Sequence, residues 1–274
     1  MDKSAEIQAK QKVQRVKSVF LDHKLGSDTP LTWVPSPLSR GYRNRVRLNV
    51  DGGRVVFFNS HKHNDCLVLD PDLRSLMEHI RELSQRPDSL FQGVDHLEVR
   101  GPDLDALSGL YLTPMPDVDL GLNQFSELAD IGVLIGCANG PRPSQRFKIH
   151  DECYGQTPLG SFAQVNHGVN QLLVQHLVSG ARVLGVSRFL DLFCGSGNFS
   201  LALASIGLGG IGVELDSTAV VAATHAAAMQ GFDKLEFRSA DLYGHHPALQ
   251  HDGADLLVLN PPRAGLKQAV DHVE

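Results

Sequence analysis

The sequence predicts an α/β chain, with a parallel sheet in its second half and a mixed α+β region before it. Three stretches predict this. The apolar Phe189-Leu190 enters a turn at Asp191, passes Gly195 and Gly197, and runs into a helix-like Phe199–Ile206, which reads as strand, glycine loop, helix. The run Ile211-Gly212-Val213 ends in Glu214, and an acid at the end of a second strand can accept two ribose hydroxyls. The run Ala254–Leu259 is continuously apolar, as in a strand buried on both faces, and Asn260-Pro261-Pro262 stops it abruptly.

The elements follow in order. Residues 4–20 read as a helix, with Val13, Val16 and Phe20 at helical intervals. Gly41–Val50 alternates Arg45, Arg47 and Asn49 against Val46, Leu48 and Val50, the pattern of a half-buried strand. Asp51-Gly52-Gly53 turns it back through Arg54–Phe58. Arg43, Arg45 and Arg47 share its polar face, a row suited to phosphate contacts that position nucleic acid. Residues 72–85 form an amphipathic helix, His96–Arg100 and Ala106–Leu112 paired strands, 118–129 a helix and Ile131–Ile135 a strand. A boundary falls near residues 150–160, so 1–155 is a mixed α+β domain and 156–274 a second domain.

In that second domain, Asn166–Ser179 is a helix with Val169, Leu172, Leu173, His176 and Leu177 on one face. Helix Thr218–Met229 and strand Leu235–Phe237 lead to Asp241. Asp191, Glu214, Asp241 and Asn260 stand at or near carboxyl ends of strands, where ligands of open α/β sheets gather. The glycine pattern has Ser200 where a dinucleotide site wants a third glycine. An acid ahead of the loop repels a pyrophosphate and suits the cationic amino-acid end of S-adenosylmethionine. That cofactor therefore fits better than a dinucleotide.

Composition sets outer bounds. The chain has 274 residues, 42% hydrophobic and 20% charged, which is ordinary globular composition. No apolar run is long enough to span a bilayer and no leader precedes the polar start, so a cytoplasmic protein without membrane contact is expected. Cys66, Cys137, Cys153 and Cys194 lie far apart, without paired metal spacing, and read as reduced thiols. His61-Lys-His63-Asn-Asp-Cys66 lacks a fourth ligand and reads as a turn, so no metal is expected. Net charge is −6, yet residues 1–50 carry ten Lys/Arg against four acids. A basic front can attract a polyanion even on an acidic body.

Four motifs in this order resemble the RNA uracil-5-methyltransferases, and their ribosomal RNA branch more than the transfer RNA branch. They are Gly41-Tyr-Arg-Asn-Arg-Val-Arg-Leu48, Ser161-Phe-Ala-Gln164-Val-Asn166-x-Gly168-Val-Asn170, Asp191-Leu-Phe-Cys-Gly-Ser-Gly-Asn198-Phe and Asn260-Pro-Pro-Arg-Ala-Gly265. The resemblance implies a Rossmann-like S-adenosylmethionine-dependent methyltransferase domain, acting on ribosomal or transfer RNA. It implies cofactor contacts from Gln164 at the methionine end, Phe193, Gly195, Gly197 and Asn198 in the loop, Glu214 at the ribose, Asp241 at the adenine and Asn260. Arg43, Arg45 and Arg47 are the RNA candidates.

The chain departs from the family in several places. The family usually has Asp at the position of Asn260. Its iron–sulfur cluster takes four cysteines, and none precedes Cys66, so no cluster is expected. Its nucleophile, which attacks carbon 6 of uracil, lies in a Ser-Cys-Asn-Pro motif that is absent here, so no catalytic residue is assigned and the chain can be inactive in this form. Cys194, in the loop, reads as a buried cysteine under the cofactor, and His272-Val273-Glu274 only echoes a late family motif. The sheet is expected to be incomplete, with Leu256–Leu259 an exposed edge; the chain is then a fragment or truncation, or a second chain completes it. Two further readings stand beside the leading one: a cofactor- and RNA-binding protein without turnover, and an amine-directed nucleic-acid methyltransferase using Asn260-Pro261-Pro262. The latter wants an aromatic where Arg263 stands.

Overall fold

The computed structural model describes residues 5–22, 31–56, 66–244 and 253–266. Contacts divide the chain into Met1–Ser39 and Arg40–Glu274. The first unit holds helix α1 (Ala5–Asp22), in which Lys12 stands over the Trp33 ring at 5.3 Å. No helix among the described residues is long and apolar enough to cross a membrane.

The second unit begins with a five-stranded sheet built from β1 (Arg45–Asp51), β2 (Arg54–Val56), β3 (Val94–Arg100), β4 (Ser108–Pro114) and β5 (Val133–Cys137). Its order is β2-β1-β3-β4-β5, antiparallel except for the β4–β5 pair. Gly52 and Gly53 take φ of +54° and +80°, the two left-handed positions that a tight hairpin needs. Helix α2 (Pro71–Ser84) covers the sheet because Leu73, Leu76, Met77, Ile80 and Leu83 recur at helical spacing and are all buried. Asp70 caps it, its carboxylate accepting from the Asp72 amide at 2.9 Å, and Pro71 starts the first turn. Residues 118–129 form less helix than expected: a 3₁₀ turn at Leu122–Phe125, then a short α3 (Ser126–Asp130).

A hairpin of β6 (Ser144–His150) and β7 (Cys153–Pro158) crosses the stretch where a boundary was expected. It packs Ile149 and Cys153 into one core with Val174 and Val178 of α4 (His167–Val183), Leu201 and Ala202 of α5 (Asn198–Ser205), and Ala226 and Ala227 of α6 (Ser217–Met229).

The last sheet is wholly parallel. It comprises β8 (Arg188–Leu192), β9 (Gly209–Glu214), β10 (Leu235–Ser239) and β11 (Leu256–Leu259), in the order β10-β9-β8-β11. Strand order reverses beside β8, so a crevice opens at the carboxyl ends of β8 and β11, the place where doubly wound sheets bind ligands.

Three expectations are corrected. The buried face of α4 is Asn170, Val174, Val178 and Ala181, while Leu173 is 47% exposed. The apolar stripe misled because this buried face includes a polar residue, Asn170, that has a partner on another helix. Strand β11 is not buried on both faces: Leu256 and Leu257 are half-buried and Leu259 is exposed. It pairs only with β8 among the described residues and so lies at the edge of the sheet. Asp191 stands near the carboxyl end of β8, one residue before its last, but it is fully buried and does not line the crevice. Phe57, Phe58, His61, His63, His245, His246, His251 and the tail His272-Val273-Glu274 lie outside the described residues.

Candidate functional site

A cleft of about 720 Å³ lies at the carboxyl ends of the parallel strands. Gln164, Phe193, Gly195, Asn198, Glu214, Asp241 and Asn260 all line it, although they come from five separate parts of the chain. Arg43 and Arg45 line it too. Gly197 and Arg47 are not among its lining residues.

The glycine loop is shaped by three left-handed residues: Phe193 (φ +63°), Gly195 (φ +57°) and Gly197 (φ +81°). A bulky residue at positive φ stores strain of about 1–3 kcal/mol, and such strain collects at ligand sites. The two glycines serve different ends. A Cβ on Gly195 would meet nothing within 4 Å, so bare backbone faces open space in the cleft. A Cβ on Gly197 would lie 2.8 Å from Phe237 Cζ and 3.3 Å from the Ala223 Cβ, so that glycine lets α5 start close against the β10 side of the sheet. The Phe193 ring tilts against Tyr243 with centroids 5.6 Å apart, and the Tyr243 hydroxyl donates to the Gly265 carbonyl at 2.8 Å.

Glu214 is locked by backbone. Its Oε2 accepts from the Gly195 amide at 3.0 Å, and its Oε1 accepts from the Leu215 and Asp216 amides at 2.8 and 3.0 Å. A carboxylate with three amide donors keeps its direction without relying on another side chain. Asp241 is exposed at the cleft, its Oδ1 accepting from the Tyr243 amide at 2.9 Å. Asn198 and Asn170 exchange two hydrogen bonds of 2.9 Å, each Nδ2 donating to the other's Oδ1, which joins α5 to α4 at the cleft wall.

Asp191 sits beneath the loop. Its Oδ2 accepts from the Ser200 hydroxyl at 2.6 Å, whereas its Oδ1 is buried with no hydrogen-bond partner. Burial pushes its pKa up to about 7, against the Ser200 hydrogen bonds and with help from Glu214. The Cys194 thiol, 7% exposed, is pushed well above its ordinary value, first by burial and then by Asp191 and Glu214. It stays protonated near neutral pH, the opposite of an activated nucleophile. Cys153 is pushed up to about 12 by burial.

The arginine row is not uniform. Arg45 is paired with Glu98 at 3.3 Å and lies over the Phe162 ring at 5.3 Å; burial lowers its pKa, against the pull of Glu98. Phe162 is 61% exposed and, like Arg100, Arg146 and Arg263, lines the same cleft. Arg47 is exposed on the sheet surface against His96. Sequence reasoning gave no role to Phe162 and Asn170, although both lie in the Ser161–Asn170 motif, and missed Tyr243 and two buttressing arginines, Arg100 and Arg142. The signals present were the Asn166–Asn170 spacing of one helical turn and the stiff Gly140-Pro-Arg142-Pro143 loop.

The fold is that of a S-adenosylmethionine-dependent methyltransferase. A methyltransferase-domain family model matches residues 186–272. Over 98% of this chain and 70% of the other, the structure is similar to that of Pyrococcus abyssi tRNA (uracil-54, C5)-methyltransferase in complex with S-adenosyl-L-homocysteine, with a TM-score of 0.71 at 17% identity. The sequence is 35% identical over 270 residues to a Colwellia psychrerythraea 23S rRNA (uracil(1939)-C(5))-methyltransferase RlmD, covering 85% of this chain and 57% of that protein. It is 31% identical over 300 residues to the protein of that name from Xanthomonas campestris, covering 97% of this chain and 64% of that protein. The chain is thus similar to RNA uracil-5-methyltransferases over most of its own length. It spans 57–64% of the length of these two relatives.

Proposed function

We propose that this chain binds S-adenosylmethionine in the cleft and serves RNA uracil-5 methylation, with ribosomal RNA in the cytoplasm as the target. The single observation behind the cofactor reading is the pairing of Glu214 with open backbone at Gly195. A fixed anion suits a ribose diol, and a position where a Cβ would find empty space suits close approach of a ligand.

Bound there, the cofactor supplies an electrophilic methyl group on a sulfonium. The chain's own groups then bind and orient. Glu214 takes the ribose hydroxyls, Asp241 the adenine amino group and Gln164 the amino-acid end, with Phe193 packing on the cofactor and Asn198, braced by Asn170, holding the loop end. Asn260 keeps a carbonyl acceptor at the cleft without adding charge. RNA contact falls to the portion before residue 156, where Arg43 is the exposed cation of the row at the cleft and Arg45 stays held by Glu98.

Among the described residues, Cys194 is the one thiol lining the cleft, and it is buried and neutral. We therefore assign to this chain donor and RNA binding, and no nucleophile of its own. The test is calorimetry with S-adenosylhomocysteine, followed by transfer from methyl-labelled cofactor to 23S ribosomal RNA. Binding without label transfer is the expected result. No heat with S-adenosylhomocysteine overturns the cofactor reading; label on carbon 5 of uracil overturns the assignment of no nucleophile; and label on an exocyclic amine puts the chemistry at Asn260-Pro261-Pro262.

A further inference from the structure

Two arginines outside the glycine loop grip the segment that carries Gln164. Arg100, 5% exposed, donates from Nε to Glu98 at 2.8 Å, from Nη1 to the Pro158 carbonyl at 3.2 Å and from Nη2 to the Ser161 carbonyl. Arg142 donates from Nε to the Leu159 carbonyl at 2.9 Å and from Nη2 to the Ser161 hydroxyl at 2.6 Å. The same guanidinium forks onto Asp216, Nη1 to Oδ1 at 3.1 Å and Nη2 to Oδ2 at 2.8 Å, and reaches the Thr218 hydroxyl at 3.2 Å. The Ser161 hydroxyl closes the ring by donating to Asp216 Oδ2 at 2.6 Å. Asp216 is also the N-cap of α6, accepting from the Thr218 amide at 3.1 Å, and its own amide is one of the three that hold Glu214.

We infer that Arg142 is a positioning residue that fixes the span between Gln164 and Glu214, and so selects a ligand that reaches both ends of the cleft. The inference rests on the cofactor reading above. Two of the three amides on Glu214, those of Gly195 and Leu215, come from residues that Arg142 does not touch, so the ribose end keeps its shape without it. What Arg142 adds is a rigid tie from the turn after β9 to the Ser161–Gln164 loop. A planar fork with five donors can serve Leu159, Ser161, Thr218 and both oxygens of Asp216 at once; a lysine ammonium cannot. Ligand affinity depends steeply on such preorganisation.

The experiment compares S-adenosylhomocysteine, which spans the cleft, with adenosine, which reaches only the Glu214 end. Both are titrated into wild type, Arg142→Gln, Arg142→Lys, Asp216→Asn and the double variant Arg142→Gln/Asp216→Asn. The expected result for Arg142→Gln and Asp216→Asn is a loss of about tenfold for S-adenosylhomocysteine and under threefold for adenosine. The double variant should be no worse than either single one, and Arg142→Lys should recover only part of the loss. Equal losses for both ligands, or losses that multiply in the double variant, overturn the inference. Hydrogen exchange on the unliganded proteins supplies an independent readout: Arg142→Gln should speed exchange at residues 159–164 and at 215–218 together. Loosening of one segment alone overturns the tie. Wild type that binds neither ligand overturns the cofactor reading instead, and exchange still judges the tie.

Discussion

Asp191 and Ser200 face each other inside the methyltransferase domain, hydroxyl to carboxylate at 2.6 Å, both fully buried. Ser200 stands where a dinucleotide fingerprint has its third glycine. Its hydroxyl satisfies one oxygen of the strand acid and leaves the other without a partner. The acid supports the glycine loop from beneath and does not face the cleft.

This pair makes stability depend on pH. The folded carboxyl titrates near 7, against an ordinary 3.8. Between those values the folded state keeps a proton that the unfolded state releases, so stability falls as pH rises from about 4 to 7 and flattens above. Asp191→Asn should remove this slope while leaving the contributions of other groups. Urea midpoints from pH 5 to 8 measure it; parallel pH profiles for the two proteins would refute the assignment.

Glu214→Gln should weaken S-adenosylhomocysteine by tenfold or more. The amide offers one acceptor oxygen where three backbone N–H groups converge, so its NH₂ must confront at least one of them. Hydrogen bonds to charged groups are worth about 1.5–3 kcal/mol each. Calorimetry decides, and unchanged affinity would remove Glu214 from the site.

Alanine at the two loop glycines should separate folding from binding. Gly197→Ala pushes a Cβ to 2.8 Å from Phe237 at φ +81°, and a loss of about 2–4 kcal/mol in stability is expected. Gly195→Ala meets open space, so only the left-handed backbone costs, about 1–2 kcal/mol. Its larger effect should appear as lost cofactor affinity. Denaturation and calorimetry on both variants check this, and the reverse order would contradict the roles given to the two positions.

Thiol labelling of the native protein should reach Cys66, which is half-buried, well before Cys137, Cys153 and Cys194, which are buried. Burial holds the last two as thiols far above neutral pH. Mass spectrometry of partially alkylated protein gives the order. Early modification of Cys194 would reopen its candidacy as a nucleophile.

The parallel unit was legible from sequence because its signals are local. A glycine that must turn, an acid one residue past an apolar run and two prolines that stop a strand each act within a few residues. Gln164, Phe193, Gly195, Asn198, Glu214, Asp241 and Asn260 therefore fell where the cleft is. Hydrophobic periodicity failed at α4 because it counts apolar side chains, and the buried face there includes Asn170, satisfied by Asn198 on another helix.

By itself, then, the sequence determined the strand–loop–helix frame, the acid at the end of β9 and the resemblance to the RNA uracil-5-methyltransferases. Tertiary structure alone decided that Asp191 turns inward to Ser200, that Gly197 serves packing, that Arg45 is held by Glu98, and that Arg142 joins two sides of the cleft. The physical reason is range. Arg142 meets Asp216 across 74 residues of chain, and such a polar pair leaves no periodic trace in the sequence until folding strips water from both partners.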